Sequence, residues 1–323
     1  MKHHFRTRTA LLAAALALCA PLAAQAKYPE RPITFVVPFG AGSATDQLAR
    51  AIGQGVTEQS GQTVVIENKP GASAMIGASD VARAASDGYT VLITTNTSQS
   101  ANPHLYKKLS YDPVKDFKPI TLLGTGGQIM VVNPKSSAHS VADFIKLAKE
   151  QPGKLSFGSG SSSSRVAGEL FQQMAGVELL HVPYKSNPLV ITDLLGGQID
   201  MMMADMATGL PQVKAGKLRA LGVTTPQASP LAPEVPTIAD AGVPGYQMGY
   251  WFGAYVPAGT PADVVSTLHD LLVNATTRTA ATQFYTQTGT KPVTSSPDEL
   301  ADFQAEETQK WGDIIKKAGI EPA

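Results

Sequence analysis

"RPITFVVPFGAGSATDQLARAIGQGVTEQ", Arg31 to Gln59, decides the fold class. It opens on a β-branched and apolar run of strand length and closes on a segment whose apolar positions recur at helical spacing. Between them, "GAGSATD" contributes Gly40 and Gly42, which let backbone approach a neighbour closely, and Ser43, Thr45 and Asp46, residue types that cap helix N-termini. A strand passing through a glycine turn into a helix is the repeating unit of a parallel α/β sheet.

The flanking sequence repeats that unit. "QTVVIEN" reads as a strand closed by "KPG"; a helix is predicted near Ala74 to Ala85, and "YTVLITTN" as the next strand. A second series starts at "IMVVNP" (Ile129 to Pro134). Ser140 is positioned to cap the helix "VADFIKLAKEQ", which Pro152 and Gly153 end. Then come the strand "KLSFGSG", the helix "AGELFQQMAG", the strand "ELLHVPY", the helix "PLVITDLLGG", the strand "IDMMMAD", the helical piece "ATGLPQVKAG" and the strand "LRALGVTT". A proline-rich return, Pro226 to Gly245, leads to "YQMGYWFGAYVPAG" and two long helical patterns, "PADVVSTLHDLLVNATTRTA" and "PDELADFQAEETQKWGDIIKKAG". Two such series predict two lobes, residues 27–126 with 251–323 and residues 127–250, with the C-terminus rejoining the first.

Residues 1–26 read as a secretory signal: basic Lys2, Arg6 and Arg8, the apolar run "LLAAALALCAPLAA", and a small-residue cleavage site at Ala24 to Ala26. Removing 26 of the 323 residues leaves 297, with 23 basic against 26 acidic residues and no cysteine, since Cys19 lies in the signal. That composition excludes disulfides and thiol chemistry from the mature chain, and its slight negative charge gives no reason to expect nucleic acid or a membrane surface as partner.

Two strand-to-helix loops are candidate ligand sites, because ligands of open parallel sheets bind beyond the strands' carboxyl ends, at helix N-termini. One is "PFGAGSATD"; the other is "FGSGSSSSR", which contains Ser159, Gly160, Ser161, Ser162, Ser163 and Ser164. Neither has the lysine of a phosphate-gripping loop or a complete dinucleotide fingerprint, and no cofactor is expected. Both offer uncharged donors to a small anion. Arg165 is open between holding a second carboxylate of a ligand and pairing with Glu169 one helical turn away. Asp205 is open between receiving a ligand's amino or hydroxyl group and capping the next helix. Tyr250, Trp251 and Phe252 are open between cleft wall and hinge packing. No Gly-x-Ser-x-Gly elbow occurs, and His104, His139, His181 and His269 stand far apart with no metal-ligand spacing, so catalysis is weakly supported.

The segments "YPERPITFVVPFGAGSATD", "NPHLYKKLSYDPVKDFKPITLLG", "AGELFQQMAGVELLHVPYK", "DLLGGQID", "VKAGKLRALGVTT" and "PEVPTIADAGVPGYQMGYWFGAYVPAGTP" resemble the substrate-binding proteins of tripartite tricarboxylate transporters, the Bug family of periplasmic solute receptors. The resemblance spans essentially the whole mature chain. It implies a type II periplasmic-binding-protein fold whose two lobes close on a small organic acid. One carboxylate would be held by main-chain amides, hydroxyls and bridging waters at Gly40, Ala41, Gly42, Ser43, Thr45 and Asp46, and at the serine loop, Ser159 to Ser164. Thr95 to Ser98 would face the same cleft. It further implies a non-enzymatic, monomeric periplasmic receptor serving a membrane permease, the alternatives being a receptor for a sensor kinase or a secreted serine hydrolase. The chain departs from the family pattern at Gly40 to Ser43 (usually Pro-Pro-Gly-Gly), Arg165 (usually His), Ser186 (usually Gly) and Met203 to Asp205 (usually a Phe-Asp-Asn-like segment). The carboxylate frame is retained while the wall facing the rest of the ligand differs, so no relative's ligand transfers directly.

Overall fold

The computed structural model describes residues 28–323; the predicted signal, residues 1–26, lies outside them. The first series folds as β1 (Ile33–Val37), α1 (Ala44–Ser60), β2 (Val64–Asn68), α2 (Met75–Ala82) and β3 (Thr90–Thr95). A π-helical turn, Thr97–Ala101, then runs into the short α3 (Asn102–Leu105) and β4 (Phe117–Gly126). The second series is β5 (Gln128–Val132), α4 (Val141–Glu150), β6 (Ser156–Ser159), α5 (Ser162–Ala175), β7 (Leu180–Pro183), α6 (Asn187–Gly196), β8 (Met201–Asp205), α7 (Met206–Lys214) and β9 (Arg219–Val223). The chain ends with β10 (Tyr250–Pro257), α8 (Ala262–Ala275), α9 (Thr279–Thr288) and α10 (Pro297–Lys317).

Two five-stranded sheets result, ordered β2-β1-β3-β10-β4 and β7-β6-β8-β5-β9. In each, one strand runs against the other four: β10 is antiparallel to β3 and β4, and β5 to β8 and β9. These reversed strands are the ones that follow the two crossings between sheets, β4 to β5 through Gly127 and back into β10 through Gly249. Helices cover both faces of the second sheet, and its strands show the period-two alternation this requires. Met130, Val132, Met201 and Met203 enter one core with Phe144, Phe157 and Phe171; Ile129, Val131, Met202 and Ala204 enter the other with Val190 and Leu194. The methionine run is therefore core on both faces.

Two details depart from local pattern. The segment after Ala262 is two helices rather than one. Thr276 and Thr277 direct their hydroxyls onto the carbonyls of Val273 and Asn274, at 2.7 and 2.9 Å, a side-chain competition that favours ending the helix there. The C-terminal helix α10 starts at a Ser296/Glu299 capping box and does more than rejoin the first lobe. Leu300 packs with Leu92, Trp251 and Tyr255 of the first lobe, while Trp311 and Ile315 enter the core that holds Phe157 and Phe171 of the second.

Candidate functional site: an interlobe cavity ringed by helix N-termini

The carboxyl ends of β1 and β3 face those of β6 and β8 across a small cavity. Phe39, Ser43, Ala44, Thr45, Thr95, Tyr250 and Phe252 line it from the first lobe, and Gln128, Ser161, Ser163, Asn187 and Asp205 from the second. The space open to water centres is about 30 Å³, room for roughly two waters. The lobes are thus drawn together.

Four helices begin at this cavity, and their caps are built from the sequence. Ser43 caps α1, its Oγ accepting from Asp46 N at 3.2 Å. Ser161 caps α5 in a reciprocal box with Ser164. Asp205 caps α7. Ser186 precedes α6 without a side-chain cap bond, and Pro188 near its start contributes no N–H. Each capping serine satisfies the third N–H of its helix, at Asp46 and Ser164. The first two N–H groups, of Ala44 and Thr45 on α1 and of Ser162 and Ser163 on α5, precede the first i→i−4 bond and have no acceptor within the helix. Among the described residues no lysine, arginine or histidine lines the cavity. What it offers an anion is backbone dipoles, each helix N-terminus worth about 0.3–1 kcal/mol and up to ~2 when partly buried.

The loops are held by polar hubs. Asp46, whose side chain is 4% exposed, accepts from Gly42 N at 2.9 Å and from Asn68 Nδ2 at 3.0 Å, and pairs with Arg50 at 2.9 Å. Burial pushes its carboxyl up, but Arg50, the Gly42 N–H and the Asn68 amide outweigh that and hold it below the ordinary carboxylate range. Asn187 performs the same service in the other lobe. Its Oδ1 accepts from Gly160 N at 3.1 Å and from Ser164 Oγ at 3.3 Å, and its Nδ2 donates to Asp205 Oδ2 at 2.7 Å. Gly160 is needed for this join, since a Cβ there would lie 2.1 Å from the Ser186 carbonyl carbon. Asp205 also accepts from Thr208 N and Thr208 Oγ1, both at 2.9 Å. Burial pushes the Asp205 carboxyl up, opposed by those donors.

The structure brings Ser43, Thr45, Thr95, Ser161, Ser163 and Asp205 to the cavity wall. The remaining candidates stand behind it. Gly40 sits where a Cβ would meet Ser186 Oγ at 2.6 Å, so its loop passes close to the start of α6. Ala41 and Gly42 form the turn, with Gly42 at φ +78°. Ser98 is fully buried behind Thr95, its hydroxyl 2.7 Å from Thr94 Oγ1 and its carbonyl accepting from Tyr111 OH. Ser162 donates to Asn102 Oδ1 of the first lobe at 2.9 Å. Ser164 is spent on the cap. Arg165 lies outside the wall, its Nε 4.0 Å from Glu169 Oε1. Ser159 Oγ stands 2.7 Å from His181 Nε2. Burial, reinforced by Arg165, pushes His181 down to about 4. Sequence reasoning missed Phe39, Gln128 and Asn187 as wall residues, and left Tyr250 and Phe252 open. Strand alternation is the signal for the last two, since Tyr250 and Phe252 share one face of β10 while Trp251 packs oppositely against Phe303 at 5.5 Å.

Two α/β lobes joined by two crossings and closing over a cavity of this kind define a two-lobed receptor of the type II periplasmic-binding-protein fold. The family model described as "Tripartite tricarboxylate transporter family receptor" matches residues 48–320, and the chain belongs to that family. It is similar to protein BugT of Bordetella pertussis, 32% identical over 305 residues that make up 94% of this chain and 93% of that one. Among solved structures, R. palustris Rpa4515 with adipate is 35% identical and superposes with a TM-score of 0.88, covering 92% of this chain and all of the other. MatC from Rhodopseudomonas palustris with bound malate is 29% identical, with a TM-score of 0.85 over 89% of this chain and 100% of that one. The family is one of solute-binding receptors rather than enzymes.

Proposed function

We propose that this chain is a monomeric periplasmic receptor, exported by a signal removed after Ala26, that captures a small organic acid between its lobes and delivers it to a tripartite membrane permease. The carrying observation is the pair of capped N-termini, α1 and α5, whose first N–H groups have no acceptor within the helix and whose Ala44, Thr45 and Ser163 line one cavity. A carboxylate placed there accepts from both lobes at once, which couples binding to closure. Ser43, Thr95, Ser161 and Ser163 supply hydroxyls or water anchors around it. The adipate and malate bound by two relatives are both carboxylates, which supports the reading. Calorimetric titration of the mature chain with a panel of mono- and dicarboxylates tests it. Binding tighter than millimolar by at least one acid is expected; none across the panel overturns it.

A further inference from the structure

Two polar atoms at the cavity wall, one without a partner and one with a proton left to donate, bear on the ligand's other end. Gln128, 1% exposed, donates its Nε2 to the Met203 carbonyl at 3.3 Å, which fixes the amide's orientation and leaves Oε1 buried and unbonded. Tyr250, 7% exposed, has a buried hydroxyl outside strict hydrogen-bonding geometry, with the Thr290 hydroxyl and the Met206 N–H placed to donate to its oxygen and its own proton left to give. Buried polar groups are almost always paired, so an acceptor left over beside a hydroxyl with a proton to give marks where a ligand completes the network. Gln128 stands opposite Asp205 in the β5–β8 register, and Tyr250 feels the Asp205 charge. The far wall therefore presents one free acceptor, one hydroxyl with a proton to donate and one carboxylate whose two oxygens are already occupied.

A second ligand carboxylate does not fit that wall. It would face Gln128 Oε1 and the already occupied oxygens of Asp205 with no cation among the lining residues, and Arg165 is turned to Glu169. A hydroxyl does fit, because one O–H group donates to Gln128 Oε1 and accepts from Tyr250 OH. The flanking Phe39 and Phe252 leave the rest of the ligand an apolar environment. We infer that the preferred ligand is a short hydroxy-monocarboxylic acid, its carboxylate at the α1 and α5 N-termini and its hydroxyl between Gln128 and Tyr250. The inference rests on the carboxylate reading above and narrows it away from dicarboxylates.

The test is calorimetry with matched probes: propanoate, 2-hydroxypropanoate, butanoate, 3-hydroxybutanoate, alanine, butanedioate and 2-hydroxybutanedioate. One hydroxy-monocarboxylate is expected to bind at least about tenfold more tightly than its parent acid and than either diacid, since a site built to bond a hydroxyl discriminates against ligands lacking it. Tyr250→Phe and Gln128→Met, each checked for a native circular dichroism spectrum, are expected to shrink the hydroxy-to-parent ratio to about threefold or less. A diacid or alanine as the tightest ligand overturns the inference while leaving the carboxylate reading intact. So does a ratio unmoved by both substitutions. Failure of every acid to bind removes the carboxylate reading and this inference with it.

Discussion

The Ser162 hydroxyl on the second lobe donates to Asn102 Oδ1 on the first at 2.9 Å, and Asn102 Nδ2 in turn donates to the Ser73 carbonyl at 2.8 Å. Both residues are buried, so the contact forms only when the lobes are together. Ser162→Ala keeps the helix start and removes the latch. A net hydrogen bond of about 0.5–1.5 kcal/mol corresponds to a roughly 2–10-fold weaker ligand affinity. Stopped-flow binding is expected to place the loss in the dissociation rate; a change confined to the association rate argues against a latch.

The α5 cap bears on stability. Ser161→Ala breaks the reciprocal box with Ser164 and is expected to cost about 1 kcal/mol, or about 2 °C in Tm for a chain of this size. Thermal unfolding of the unliganded chain measures it. The same variant weakens carboxylate binding because the freed Ser164 N–H and hydroxyl rearrange at the cavity edge.

Gly160→Ala is expected to be severe. Its Cβ would lie 2.1 Å from the Ser186 carbonyl carbon and 2.2 Å from Asn187 N, both backbone atoms that cannot rotate away. Displacing the start of α6 separates Asn187 from both the serine loop and Asp205, so a loss of about 3 kcal/mol in denaturant unfolding is expected. Gly196→Ala, whose nearest contact would be Gln198 Cγ at 3.8 Å, is the control and stays within about 1 kcal/mol of the parent.

His181 makes stability pH-dependent. Burial and Arg165 lower it from the ordinary 6.5 to about 4, so the unfolded chain binds the proton more readily between those values. Its contribution is full above about pH 6.5 and is lost as pH falls toward 4. His181→Gln is therefore expected to show a flatter fall in Tm between pH 6.5 and 5 than the parent. Equal slopes would mean that the ring is not held neutral by its surroundings.

Arg165→Gln separates the two roles open to that residue from sequence. Because its guanidinium lies by Glu169 and His181 rather than at the wall, it is expected to raise the His181 pKa, read by imidazole NMR titration, and to leave the ratio of dicarboxylate to monocarboxylate affinity within about twofold. A selective loss of dicarboxylate binding would place it at the ligand.

The alternation of strand and helix was legible from residue 31 onward because it rests on local periodicity, and the helix-starting Ser43, Ser161 and Asp205 were legible because capping is a matter of three or four neighbouring residues. The split after Ala275 was not, since the competition of Thr276 and Thr277 hydroxyls for helix carbonyls is a weak signal in sequence alone. The place of the serine run between a strand and a helix made it a candidate half of a ligand site from sequence alone. What that local pattern could not contain is Asn187 joining Gly160 to Asp205, Gln128 set opposite Asp205 across β5 and β8, and Tyr250 returning more than 200 residues after Ser43 to share its cavity. Those meetings depend on which strands pair and how two lobes close, and no short stretch of sequence encodes a distance between residues that only a shared sheet or cleft brings together. The sequence by itself determined the two α/β lobes and the donor-rich helix starts; the tertiary structure decided which of those donors line the cavity, which are spent on holding the loops, and that no cation lines it among the described residues, because only strand pairing and lobe closure set those distances.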